Sequence, residues 1–327
     1  MDAHALESLR GKTVLVTGAG GSIGSQLTMA LAGVVDKLVL VSISESALYK
    51  ILRKLNGVPV EVVGALADYG DMMRMNTLLT GVHVVIHAAA HKHVPLCESN
   101  PLAAITNNVW GTQKLLNASA AAGVQQFIQI STDKAVEPSS IMGATKRTCE
   151  LLCLRRNFAP MVVSVVRFGN VLGTDGSVIP LWKDQIAKGG PVTITDRRCT
   201  RYFMTVDDAC TLILGVVYMN LGGLFVFDMG DPIRIEDIAQ RLILQSADPN
   251  IKIEEIGLRP GEKLEEELTY GGEVLPTKHP RIKFVKEAGR PQPSIQYVPD
   301  MVEHARKNRT DEAVKTLWKV VHEAFAK

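Results

Sequence analysis

Six compact runs of β-branched and aliphatic residues, separated by longer stretches with helical spacing, fill the first half of this chain and leave few folds open to it. The runs are Thr13–Val16, Lys37–Val41, Val58–Val63, Val84–His87, Phe127–Ile130 and Met161–Val166. None shows the polar alternation of a half-exposed strand, so each reads as a strand of a parallel sheet covered on both faces. Gly24–Leu31, Glu45–Leu55 and Pro101–Ala121 carry good helix formers at helical spacing. Strand and helix in regular alternation predict an α/β fold built on a doubly wound parallel sheet.

Beyond Asn170 the texture changes, with Gly and Pro frequent (Gly173, Gly176, Pro180, Gly189, Gly190, Pro191) and apolar runs shorter. The expected organisation is a dinucleotide-binding domain over 1–170, rejoined by a helix and strand within 201–230. A smaller C-terminal substrate-binding lobe takes 171–200 and 231–327. A last helix, about Asp311–Ala326, is expected on its outside.

Lys and Arg total 36 against 34 Asp and Glu, a formal charge of +2. No broad field favours nucleic acid or a membrane surface, so an anionic ligand must be met locally. The five cysteines are scattered and set among apolar residues, as reduced core thiols are, and none has partners at metal-ligand spacing. No metal is expected. No apolar run nears the roughly 18 residues of a membrane span, and the predicted location is cytoplasmic.

The turn Gly18-Ala19-Gly20-Gly21-Ser22-Ile23-Gly24 follows the first predicted strand and opens the first helix. Glycines there permit a tight turn and let a pyrophosphate approach backbone at a helix N-terminus, the mark of a Rossmann-type nucleotide site. The second strand ends in Ser42 where an acid usually holds the adenosine ribose. Without that acid, and with Lys50, Arg53 and Lys54 downstream, NADP is as credible as NAD.

Ser131-Thr132-Asp133-Lys134 ends the fifth strand at the edge where open α/β sheets bind ligands. Met142 and Lys146, four residues apart, open the following helix, so both face the same way. A thioether accepts no proton, and Met142 leaves any base role there to Thr132 or Asp133.

These segments occur in order with Ala88-Ala89-Ala90-His91-Lys92-His93, Asn107-Asn108-Val109, Arg167-Phe168-Gly169-Asn170, Thr200-Arg201-Tyr202-Phe203 and Arg259-Pro260-Gly261-Glu262-Lys263. Over roughly residues 11–282 the series resembles the UDP-N-acetylglucosamine 4,6-dehydratases, extended short-chain dehydrogenase/reductases of bacterial polysaccharide biosynthesis. The Ser-Met-Lys set resembles their configuration-retaining branch. Members of that branch are often large membrane proteins with an N-terminal transmembrane portion, so the chain is expected to be a short relative or a catalytic fragment. It departs from the family pattern at Ser42, Ala65 and His91.

The resemblance implies a tightly bound, recycled NAD or NADP held by Gly18, Gly20, Gly21, Ser22, Ile23, Gly24, Ser42, Ala88, Ala89, Lys92, Asn108 and Lys146. It implies a catalytic set of Ser131, Thr132, Asp133, Lys134, Met142 and Lys146, with Lys134 as base at the sugar C5 and Asp133 as acid at C6. Such work needs a neutral Lys134 and a protonated Asp133. Lys92, His93, Asn170, Arg201, Arg259 and Glu262 are the implied contacts to UDP-N-acetylglucosamine. His87 is expected to pack beside the cofactor rather than react. Helices Pro101–Ala121 and Ile141–Arg156 pair across a homodimer in extended relatives. A 5,6-dehydratase, a C5-inverting dehydratase and an idle dinucleotide sensor remain alternative readings.

Overall fold

The computed structural model describes residues 3–154, 158–174, 176–286 and 294–325. Arg156 and Ala326, the ends of two expected helices, lie outside them. The centre is a nine-stranded sheet. Its strands are β1 (Thr13–Thr17), β2 (Lys37–Ser42), β3 (Glu61–Leu66), β4 (Val84–His87), β5 (Gln126–Ile130), β6 (Val162–Arg167), β7 (Gly223–Phe227), β8 (Glu273–Pro276) and β9 (Ile282–Lys286). In space they run β8-β9-β7-β6-β5-β4-β1-β2-β3. Pairing is parallel from β3 through β7, and β9 and β8 add antiparallel. The strand order reverses at β1 and β4, which is where a doubly wound sheet opens a crevice.

Burial explains the unbroken apolar strands. Val14, Leu15 and Val16 of β1 and Val85 and Ile86 of β4 have no exposed surface, because helices cover both sides of the sheet. Helix α1 (Ser22–Leu31) starts at Gly21, whose extended backbone carries no side chain to bond the first-turn amides. Helix α2 (Glu45–Lys54) is capped by Ser44, which accepts from the Ala47 amide, and ends on Arg53 and Lys54 against its negative pole.

The expected helix Pro101–Ala121 is continuous but locally unwound. Residues Ile105–Gly111 form a π-helical stretch between Pro101–Ala104 and α3 (Thr112–Ala121). Such a bulge commonly re-aims side chains at functional sites.

Helix α4 (Ile141–Cys153) has all thirteen residues buried. Its outer side meets α5 (Val298–Arg306) and α6 (Thr310–Phe325), which share one apolar core with it through Leu151, Leu152, Met301, Leu317 and Val320. The last helix is thus a cover on the nucleotide domain rather than an outer element of the lobe. All of α4 is thus already covered within one chain.

The C-terminal boundary drawn from sequence shifts accordingly. Helix Val206–Met219 and β7 do return to the sheet, and 273–286 then widen it. What remains as a lobe is Val178–Ala187 and Ile235–Leu244 around Trp182, Val192, Ile194, Cys199 and Ile251. Trp182 is fully buried and donates to the Thr193 carbonyl at 2.7 Å.

Candidate active site

The turn after β1 is shaped by two glycines that cannot carry a side chain. Gly18 has φ +65°, and a Cβ on it would lie 2.9 Å from the Ala89 amide nitrogen. A Cβ on Gly24 would lie 2.2 Å from the Gly18 carbonyl oxygen. The first turn of α1 is thereby pressed onto the strand end, with no side-chain cap at Gly21, and its positive pole faces the cavity. Gly20 serves another purpose, since its Cβ would strike Ala47 at 2.5 Å. It seats α2.

A cavity of about 560 Å³ opens over this turn. Gly18, Gly21, Ser22, Ile23, Gly24, Ser42, Ala88, Ala89 and Lys92 all line it. Its far end adds Ile43, Ala67, Asp68 and Tyr69. Asp68, two residues past β3, is a carboxylate the sequence reading missed; its Oδ1 accepts from the Gly70 amide at 2.7 Å. Lys50, Arg53 and Lys54 are not among the lining residues. The cradle a Cβ would fill, the uncapped helix start and the long apolar groove fit a dinucleotide.

Two expected neighbours prove to be scaffolding. His87 is buried between Thr17 Oγ1 (2.7 Å) and Thr112 Oγ1 (3.0 Å), with Tyr69 edge-on at 4.7 Å. Burial and the nearby Lys146 push its pKa down to about 3, so it stands neutral. Asn108, in the π-helical stretch, does not line the cavity. Its Oδ1 accepts from the His91 amide at 2.8 Å, and its Nδ2 donates to the His91 carbonyl and to Thr145 Oγ1, both at 3.0 Å. It clamps the segment after β4 onto α4, while Asn107 faces the cavity.

A second cavity, about 320 Å³, adjoins the first through Ile23, Ala88, Ala90, Lys92, His93 and Thr174. Ser131, Thr132, Lys134, Met142, Lys146 and Asn170 line it. The backbone leaves strand geometry here: Thr132 is extended, and Asp133–Ala135 form a single 3-10 turn. A Cβ on Gly143 would lie 2.2 Å from the Lys134 carbonyl oxygen, so only glycine lets α4 come this close.

Asp133 is fully buried behind the cavity wall. Its Oδ1 accepts from Thr132 Oγ1 at 2.8 Å, from the Lys134 amide at 2.9 Å and from Lys134 Nζ at 3.0 Å. Lys134 Nζ also donates to Asn170 Oδ1 at 3.2 Å and stands 3.6 Å from Glu266 Oε1. Burial pushes the Lys134 amine down, but the Asp133 and Glu266 carboxylates outweigh it and hold the pKa above its ordinary value. The neutral Lys134 that a base at C5 requires is thus opposed by its surroundings, because two carboxyl groups share its pocket.

Ser131 donates to Glu150 Oε1 at 2.6 Å, leaving its oxygen as an acceptor toward the cavity. Glu150 in turn binds Arg167 at 2.7 and 2.5 Å and Arg147 at 3.1 Å, all buried. Lys146 donates to the Ile130 carbonyl at 2.5 Å, and burial lowers its pKa.

The lobe's expected contacts divide. Asn170 is in place. Arg201 is buried and spends its guanidinium on the carbonyls of Thr200, Leu264 and Lys263 and on Glu262 Oε1. Glu262 also accepts from Thr195 Oγ1 at 3.0 Å. Neither they nor the exposed Arg259 are among the residues around either cavity. Arg201 instead fixes residues 262–264, and Lys263 Nζ and Ser139 Oγ tie that loop to the Asp133–Ser140 segment through Val136 O and Gly261 O, both at 2.9 Å.

A family model described as "Polysaccharide biosynthesis protein" matches residues 14–287. The chain belongs to this family. The capsular polysaccharide biosynthesis protein CapD of Staphylococcus aureus is 46% identical over 279 residues, which are 82% of this chain and 47% of that one. An inverting UDP-N-acetylglucosamine 4,6-dehydratase of Campylobacter jejuni is 33% identical and covers 84% of each chain. The X-ray structure of Pen from Bacillus thuringiensis superposes with a TM-score of 0.80 at 30% identity, covering 85% of this chain and 89% of that one. This family member spans about half the length of the first curated relatives it matches. Among its described residues no helix is long and apolar enough to cross a membrane.

Proposed function

We propose that this chain is a nicotinamide-dependent dehydratase that converts UDP-N-acetylglucosamine to a 4-keto-6-deoxy sugar nucleotide. One observation carries the reading: Thr132, Lys134, Met142 and Lys146 surround one cavity that opens into the dinucleotide groove, with Asp133 bonded to Lys134 behind it. The glycine turn, Ser42 and Lys146 would hold NAD or NADP, which when bound supplies reversible hydride transfer at C4 and C6 of the sugar.

The protein's own groups then have three tasks. The C4 hydroxyl must lose a proton, and Met142 cannot take it. Thr132 can, because its hydroxyl already donates to Asp133 Oδ1 and so forms a relay to a carboxylate. Once C4 is a ketone the C5 proton is acidic, and Lys134 is the base that removes it. Asp133 protonates the departing C6 hydroxyl.

The pair returns to its starting state over one cycle. The C4 proton passed through Thr132 protonates Asp133, and Lys134 gives up its own proton to solvent before it can act. Lys134 then takes the C5 proton, Asp133 gives its proton to the departing C6 hydroxyl, and Lys134 hands a proton back to C5 as C6 is reduced, so every proton taken from the sugar returns to it or leaves in the water. We place the reaction in the cytoplasm and expect a homo-oligomer that does not use α4 as its bundle.

Incubation of the purified protein with UDP-N-acetylglucosamine tests the reading. The expected product has lost one water, and its proton spectrum gives the C5 configuration. Unchanged substrate with retained dinucleotide binding overturns it in favour of a sensor.

A further inference from the structure

Glu266 lies more than 130 residues from Lys134 in sequence, yet its side chain is almost fully buried beside it. One carboxylate oxygen stands 3.6 Å from Lys134 Nζ and the other has no hydrogen-bond partner. Asp133 repeats this arrangement, with Oδ1 on Lys134 and Oδ2 buried and unpartnered. An unpaired buried carboxylate is costly, and no fold keeps two beside one amine without a counterweight. Lys134 is that counterweight.

We propose that Glu266 is a positioning residue that sets the charge state and aim of Lys134. The inference rests on the reading of Lys134 as the C5 base. The ammonium has its partners in three places: Asp133 on its own turn, Asn170 just past β6, and Glu266 on the loop that follows Arg259–Lys263. Glu266 does not line the cavity and touches no substrate there. It acts through the amine, favouring the ammonium and so opposing the proton loss that arms Lys134 as a base.

Other charges face this pair. Arg201, fixed by its four hydrogen-bond partners, repels Lys134 and attracts Glu266, and Lys263 also acts on Glu266. Burial raises the Glu266 carboxyl and Lys134 pulls it back. None of these cations stands between Glu266 and the amine, so removing the Glu266 charge acts on Lys134 directly.

The test is Glu266→Gln, which keeps shape and removes charge. Two readouts are taken on the whole chain: the titration of Lys134 followed through its 13C-labelled ε-carbon, assigned by Lys134→Arg, and the pH profile of kcat/KM with UDP-N-acetylglucosamine. Losing an anion within about 4 Å shifts a neighbour by about one pH unit. Both the Lys134 titration and the acidic limb should move down by that amount, and Glu266→Asp, which keeps the charge, should move them less. A merely structural role for Glu266 lowers the rate and leaves both pH values where they were, which overturns the proposal. If Glu266→Gln folds poorly, the same titration in Glu266→Leu, which also removes the charge, decides, since an unmoved Lys134 signal there overturns the proposal. The titration needs no turnover: a shift without dehydration sinks the functional reading alone, and dehydration without a shift sinks this one.

Discussion

Lys134 Nζ donates to Asp133 Oδ1 across 3.0 Å although the two residues are consecutive, just past the end of β5. Side chains at adjacent strand positions point to opposite faces. The 3-10 turn Asp133–Ala135 cancels that opposition and brings acid and amine together. In the proposed reaction a single dipeptide thereby supplies a base and an acid for two neighbouring carbons of one substrate.

Removing either member of that pair should stop dehydration and spare the cofactor site. Asp133→Asn and Lys134→Ala are each expected to lower product formation by about 10²–10⁴-fold. Dinucleotide affinity, measured by calorimetry, should stay unchanged. Full activity in either variant removes that residue from the scheme.

In the proposed reaction Thr132 carries the relay that a tyrosine would otherwise provide. Thr132→Val keeps volume and loses the hydroxyl, and turnover should fall by about 10²-fold or more. Thr132→Ser, which keeps the oxygen, should recover most of it. Equal rates in the two variants would falsify the relay.

Glu150 balances Arg147 and Arg167 in the core while orienting Ser131. Burial pushes its carboxyl up, but the two guanidiniums outweigh this and hold it below the ordinary range. Glu150→Gln removes the carboxylate that both buried guanidiniums share and should cost about 3–5 kcal/mol. Chemical denaturation measures this. A loss under about 1 kcal/mol would mean the cluster behaves like an exposed pair.

His87 gives the fold a defined acid sensitivity. An unfolded histidine takes up its proton near pH 6.5, while the buried ring stays neutral down to about 3. Between those values the unfolded state binds more protons, so stability falls as pH falls and is flat above the window. The His87→Gln variant should show a shallower slope of stability against pH there. A slope identical to the parent's would show that His87 contributes nothing to it.

Much of this was legible locally. Periodicity located β1, β2 and β4–β6 within a residue or two of their ends, because strands buried on both faces advertise themselves as apolar runs. The glycine turn and Ser131–Lys134 were readable for a similar reason: short segments whose backbone demands or strand-end placement are written in adjacent residues. Asp68 was missed, and the only signal for it was an acid just beyond the third strand.

The rest depends on contacts between distant segments. Glu266 sits in Glu265-Glu266-Glu267, which as sequence looks like a solvated run; only the docking of residues 259–264 by Arg201, Ser139 and Lys263 buries its middle member beside Lys134. Arg201 looked like a ligand contact and is spent on backbone carbonyls. The last helix was readable as a helix and 273–286 were assigned only to the lobe; nothing in either segment says which helix or which sheet edge it covers. The sequence by itself determined the doubly wound sheet, the dinucleotide turn and the acid–amine pair, because local sterics and burial impose them. The tertiary structure alone decided how that pair is charged and which face of α4 is closed, because desolvation and neighbouring charge exist only after distant parts of the chain have met.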